Sequence, residues 1–143
     1  MRAINLDMDG TIADLYGVQN WLNYLIAKDA TPYRIAKPLV NLSVLARRLN
    51  TLQKKGYKIN IISWLSKTSD KEYDMAVTKT KIAWLRKHLP SVKWDNINIV
   101  PYGTPKSTCG SGILFDDEEN NRKEWNGTAY DVNNILDELK KLI

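Results

Sequence analysis

A single cysteine, Cys109, among 143 residues excludes an intramolecular disulfide and fits a reducing compartment. There is also only one histidine, His88, so a thiol mechanism would lack an obvious base. Long apolar runs are missing: the longest, residues 59–64 and 97–102, are short and interrupted by polar side chains, which excludes a membrane-spanning helix there. No basic region followed by an apolar export segment precedes the first strand-like stretch, so a cytoplasmic location is expected. Repeats, linkers and low-complexity tracts are absent as well. With 43% hydrophobic and 26% charged residues, the composition suits one ordinary domain over residues 1–143 and not a disordered chain.

The net charge is +5, with lysines gathered around residues 53–58 and 67–87. A phosphate-bearing partner would feel that field. Half or more of the basic residues are expected to be the solvated faces of helices; Lys67, Lys71, Lys79 and Lys81 would steer polyanionic substrates if they flanked a binding cleft, and are expected instead to solvate their helix.

Hydrophobic patterning gives alternating strands and helices. Residues 3–7 predict a first strand, 58–63 a second, 97–100 a third, 112–115 a fourth and 128–130 a short fifth. Leu42, Leu45, Leu49 and Leu52 recur at helical spacing, closed by Gly56. Asp70 or Ser69 is placed to cap a helix running to about His88, with Ala76, Ile82, Ala83, Trp84 and Leu85 expected on its inner face. Residues 132–142 predict a final helix with Ile135, Leu136, Leu139 and Leu142 inward. Between 12 and 36 the pattern is weaker: a short helix over 18–25, then a mixed, turn-like stretch over 28–38. The alternation predicts an α/β fold with a mostly parallel sheet covered on both faces.

Acidic residues end two of the apolar strands, in Asn5-Leu6-Asp7-Met8-Asp9-Gly10-Thr11 and in Gly112-Ile113-Leu114-Phe115-Asp116-Asp117. Ligand sites in open parallel sheets lie beyond the carboxyl ends of strands. If the two strands are neighbours, Asp7, Asp9, Asp116 and Asp117 meet in one cleft, and a cation relieves their repulsion. An all-oxygen set suits Mg2+. Asp7 and Asp9, two apart on extended chain, can address one side, one attacking phosphorus and the other protonating the leaving oxygen. The plain alternative is a turn at Asp9-Gly10 and a solvated loop at Asp116-Asp117. Ser63, ending the second strand, and Lys106, after the third, could bind phosphoryl oxygens. Trp64 is read as packing beneath the site or stacking on a base, His88 and Cys109 as structural. Asn120, Asn121 and Trp125 are candidates to line the pocket.

This arrangement resembles the phosphatase branch of the haloacid dehalogenase superfamily. The first motif is Asp7-Met8-Asp9-Gly10-Thr11, the second Ile61-Ile62-Ser63, the third Lys106 and the fourth Leu114-Phe115-Asp116-Asp117. The resemblance implies a five-stranded parallel α/β/α sandwich of strand order 5-4-1-2-3. It implies Asp7 as nucleophile forming an aspartyl-phosphate, and Asp9 as the acid that then activates water. Magnesium would be held by Asp7, the Asp9 backbone carbonyl and Asp116, with Asp117 orienting a water and Ser63 and Lys106 binding phosphate. Within the superfamily the chain is most similar to 5'(3')-deoxyribonucleotidases, through the first motif with Ile12-Ala13-Asp14, the run Lys81-Ile82-Ala83-Trp84-Leu85-Arg86-Lys87-His88-Leu89, and Phe115-Asp116-Asp117-Glu118-Glu119-Asn120-Asn121. Those enzymes carry a helical cap after the first motif, and residues 12–38 are too few for a full one, so a minimal cap or none is expected. The implied substrate is a small phosphomonoester of nucleotide type. The alternatives are a polynucleotide end, or a non-catalytic, regulatory role in phosphate binding.

Overall fold

The computed structural model describes residues 2–68 and 70–143. Its main sheet has five strands, β1 (Ala3–Leu6), β4 (Lys58–Trp64), β5 (Asn96–Val100), β6 (Ile113–Phe115) and β7 (Thr128–Tyr130). All adjacent pairs are parallel and the order is β5-β4-β1-β6-β7. Counting these five strands alone in chain order, the sheet reads 3-2-1-4-5, which from the β7 edge is the 5-4-1-2-3 implied by the resemblance. Two further strands, β2 (Ala13–Asp14) and β3 (Lys37–Pro38), form a separate antiparallel ribbon beside the first motif.

The sheet's two faces are covered unequally. On one face Ile4, Leu6, Ile59, Ile61 and Phe115 form the main core with side chains from three helices. These are α3 (Leu42–Lys54), α4 (Lys71–His88) and α6 (Ile135–Leu142). Leu45, Leu49 and Leu52 of α3 are fully buried, as their spacing predicts, and the Asn41 side chain caps the helix by accepting from the Val44 amide. Gly56, at φ 101°, ends that pattern in the left-handed region that glycine enters without penalty.

The opposite face is partly polar and thinly covered, by α5 (Glu119–Glu124), the 106–112 turn and Trp125. Asn5, Asn60 and Asn96 stand in register across β1, β4 and β5. Asn96 donates to Asn60 at 3.2 Å and Asn60 to Asn5 at 3.0 Å, and Asn5 donates to the carbonyls of Ser111 and Ile113. These buried amides satisfy one another and the neighbouring carbonyls.

Three local expectations change. The 28–38 stretch contains a helix, α2 (Thr31–Ile35), started by Pro32 in its first turn, where a missing amide hydrogen costs nothing. The helix expected over 18–25 is α1 (Trp21–Ile26), which buries none of its residues. On α4 the inner face is Tyr73, Val77, Lys81, Trp84 and Leu85, whereas Ala76 and Ala83 are exposed. Tyr73 and Val77 meet Leu15, Tyr33 and Leu65 in a second cluster, so the first half of α4 packs on the 15–36 segment. Asp70 caps α4 by accepting from the Tyr73 amide, and the alternative cap, Ser69, lies outside the described residues.

Candidate active site

The first motif leaves β1 through a tight turn in which the Met8 carbonyl accepts from the Thr11, Ile12 and Ala13 amides. Gly10 occupies the left-handed region at φ 79°, and a β-carbon there would collide with the Asp117 carboxylate. The turn thus needs glycine twice over, for its backbone and for the approach of the loop after β6.

Because β1 and β6 are neighbours, Asp7 and the Asp116-Asp117 pair meet at the carboxyl ends of adjacent strands. Asp7, Asp116 and Asp117 each offer a carboxylate oxygen within 4.8 Å of the other two. Lys106, itself buried, donates to Asp7 Oδ1 at 3.0 Å and to Asp116 Oδ2 at 2.6 Å. Thr11 Oγ1 donates to Asp7 Oδ2 at 3.1 Å and lies 3.3 Å from Asp117 Oδ1. Asp116 also accepts from the Asn121 side chain and the Glu118 amide, and Arg122 holds its backbone carbonyl.

The electrostatics are those of an anion cluster short of positive charge. Burial, and then the nearby Asp7, push Asp116 up to about 6; burial followed by Asp7 pushes Asp117 up to about 8. Burial alone would lower the Lys106 pKa, but Asp7 and Asp116 outweigh it and raise it. A trio of oxygen ligands strained in this way fits a divalent cation, which would favour the ionised carboxylates. Asp9 stands apart from the trio: its carboxylate is directed to Lys81 instead. Any share it takes in a metal site would come through its backbone carbonyl.

The residue that sequence reasoning misplaced is Lys81. Expected on a solvated face, it is 1% exposed and donates three hydrogen bonds. The acceptors are Asp9 Oδ2 at 2.9 Å, Ser63 Oγ at 2.7 Å and the Trp64 carbonyl at 2.7 Å. Its position was marked in the sequence: Tyr73, Val77, Lys81 and Trp84 recur three or four apart, the stripe that a helix turns inward. A lysine on such a stripe needs a buried partner, and Asp9 supplies it. Burial, the larger influence, raises the Asp9 pKa against the pull of Lys81, with Asp7 adding to the rise.

Ser63 is buried, and by accepting from Lys81 its hydroxyl keeps its own hydrogen to donate. Asp7, Asp9 and Lys106 open into one cavity of about 320 Å³, whose walls are mainly aromatic and aliphatic. Trp64 and Tyr102 form one aromatic pair, 5.0 Å between centroids, and Tyr16 and Trp21 form another at 5.1 Å. The Trp64 indole donates to the Thr104 carbonyl and its ring still lines the cavity, so it packs and faces the site at once. Among the other candidates, Asn121 lines the cavity, while Trp125 is buried under the sheet, donating to the Gly112 carbonyl. His88 packs on Trp84 at 4.4 Å, and Cys109 sits half-buried against the thin layer. Lys67 borders the cavity; Lys71 and Lys79 are exposed on α4. Among the described residues no helix is long and apolar enough to cross a membrane.

Two solved structures are similar in fold. One is a D,D-heptose 1,7-bisphosphate phosphatase from Burkholderia thailandensis, with a TM-score of 0.52 at 15% identity over 86% of this chain and 70% of that one. The other is a D,D-heptose 1,7-bisphosphate phosphatase from B. bronchiseptica complexed with magnesium and phosphate. Its TM-score is 0.53 at 13% identity, covering 100% of both chains. No curated protein matches the chain in sequence. A family model does match, over residues 37–137, a span that holds Ser63, Lys81, Lys106, Asp116 and Asp117 and stops short of Asp7 and Asp9. With that match covering most of its length, the chain belongs to the family of the 5' nucleotidase, deoxy (pyrimidine), cytosolic type C protein.

Proposed function

We propose that this chain is a magnesium-dependent phosphomonoester hydrolase that acts on a nucleotide-type substrate through an aspartyl-phosphate on Asp7, all within one phosphatase domain. The observation that carries the reading is Asp7 itself, a buried carboxylate bonded to Lys106 that borders a cavity large enough for a leaving group. Its family, and the magnesium and phosphate bound by a phosphatase of similar fold, point the same way.

Asp7, Asp116 and Asp117, with the Asp9 carbonyl, would hold the magnesium, which when bound neutralises the carboxylates and phosphoryl oxygens and so lets two anions approach. Asp7 attacks phosphorus with one carboxylate oxygen, and the bond from phosphorus to the ester oxygen breaks. Lys106 and the Ser63 hydroxyl receive the negative charge on the phosphoryl oxygens. The Asp9 carboxyl gives its proton to the departing alkoxide and later takes one from the water that cleaves the acyl phosphate. Lys81 is a positioning residue: it fixes the Asp9 carboxylate and the Ser63 oxygen relative to each other. The aromatic walls suit the base of a nucleotide.

The experiment is a panel of phosphomonoesters assayed with and without magnesium. Hydrolysis of nucleoside monophosphates with magnesium, abolished by chelation and by Asp7→Asn, is expected. Inactivity toward every ester would contradict the reading and favour a phosphate-binding role without turnover.

A further inference from the structure

Charge is spread unevenly along the chain. Between Asp29 and Asp70 lie eight basic residues and no acidic one, and between Asp74 and Asp95 five basic and none acidic. These stretches contain all of α3 and most of α4, so the solvent side of both helices there carries a single sign of charge. Lys81 is consumed by Asp9, but Arg47, Lys54, Arg86 and Lys87 are exposed. Arg47 and Lys54 share a stripe of α3 with Ser43 and Asn50, three or four residues apart. That stripe is one wall of a groove of about 530 Å³, and His88 and Ser91, at the end of α4 and just beyond it, belong to the other. No acid lines the groove, and none of its residues borders the cavity that holds Asp7. Its walls are held in place: the Asn50 side chain donates to Ser91 Oγ at 3.2 Å, and the His88 ring rests on Trp84, 4.4 Å between centroids. By accepting from Asn50, the Ser91 hydroxyl keeps its own hydrogen for a further acceptor.

Fixed cations and neutral donors with no competing acid attract a chain of repeated anions. We propose that the groove between α3 and the end of α4 binds single-stranded nucleic acid, with phosphates on Arg47 and Lys54 and a base against the His88 ring. The site is separate from the catalytic cavity and does not depend on what that cavity hydrolyses. Arg47 and Lys54 are two helical turns apart, about 10 Å along the axis, a spacing suited to separate phosphates of one strand. A basic groove with a flat ring beside it is how strand-binding proteins gain affinity without reading sequence. A membrane surface fits less well, because none of the large exposed hydrophobic side chains lies in the groove and none is there to insert.

The test is fluorescence anisotropy of a labelled oligothymidylate that lacks a terminal phosphate, with EDTA present, so that neither hydrolysis nor a metal site contributes. Arg47→Gln/Lys54→Gln is compared with Lys71→Gln/Lys123→Gln, which removes the same charge from exposed positions outside the groove. Wild-type affinity is expected to fall steeply with salt. The groove variant is expected to bind about tenfold more weakly at low salt and to lose about 1.4 from the slope of log affinity against log salt, about 0.7 for each phosphate contact removed. The control is expected to follow wild type. No binding by wild type overturns the proposal, and so do equal losses in the two variants, which would assign the effect to net charge alone. Displacement of the strand by polyglutamate as readily as by unlabelled oligothymidylate, at equal charge, overturns it in favour of an acidic peptide. Ultraviolet cross-linking of the wild-type complex gives a readout that needs no variant. Adducts are expected at His88 and its neighbours within residues 84–94, and adducts confined to the residues of the catalytic cavity overturn the proposal.

Discussion

Lys81 ties together two candidate groups outside the acidic trio, Asp9 and Ser63. A buried ammonium with three acceptors is fully satisfied, and removing it strands the Asp9 carboxylate and the Ser63 hydroxyl together. Lys81→Met is expected to cost about 3 kcal/mol of stability, the scale of a broken buried ion pair, and to lower kcat by about 100-fold. Urea unfolding and steady-state kinetics check both, with Lys79→Met, two residues away and exposed, as the control that changes neither. The candidate carboxylates were legible in the sequence because they sit directly after apolar strands. Lys81 was hidden because lysines on helices are ordinarily solvated and its partner is 72 residues away.

The acidic trio also makes a pH prediction. A carboxyl whose folded pKa lies above its unfolded value of about 4 favours the protonated folded state. Asp117, raised to about 8, and Asp116, raised to about 6, therefore cost the metal-free protein stability as pH rises from about 4 through those values. Magnesium binds the ionised form and returns it. The Tm without metal should fall between about pH 5 and pH 8, and the rise in Tm on adding magnesium should be larger at the higher pH. Scanning calorimetry at both pH values, with and without magnesium, measures this.

At the scale of elements, the turn after β1 and the asparagine row decide how accurately the site is held. Gly10→Ala would force a side chain into the left-handed region and against Asp117. It should destabilise the protein by about 1–2 kcal/mol and raise the magnesium concentration needed for half-maximal activity. Asn5→Ala would leave the Asn60 amide and two carbonyls without their donor or acceptor, one strand residue from Leu6 and two from Asp7. A loss of about 1–3 kcal/mol is expected in denaturant unfolding. The strands and long helices were legible because their apolar spacing is regular. The asparagine row was not, since a buried amide in a strand carries no periodic signal and its partners come from other strands. The inner face of α4 departs from the sequence pattern because small alanines fit either face, and its first half packs on α2 with Leu15 and Leu65, in and around a short, irregular segment of weak pattern.

At the scale of the whole molecule, two strand ends, one helix and one loop converge on the Asp7 and Asp9 carboxylates. β1 brings Asp7, β6 brings Asp116 and Asp117, α4 brings Lys81 to Asp9, and the loop after β5 brings Lys106. The parallel order β5-β4-β1-β6-β7 is what makes these ends adjacent, and it puts β1, which leads into Asp7, at the centre. The positive net charge contributes little to the site itself, since Lys81 and Lys106 are consumed by carboxylates while most other lysines face water. The most direct test of the central claim is to quench the protein during turnover of a nucleoside monophosphate with magnesium and to map covalent phosphate by mass spectrometry. One phosphate is expected on Asp7, released by hydroxylamine and absent from Asp7→Asn. Turnover with phosphate on another residue, or with none trapped on Asp7 even when Asp9→Asn slows its hydrolysis, would contradict it.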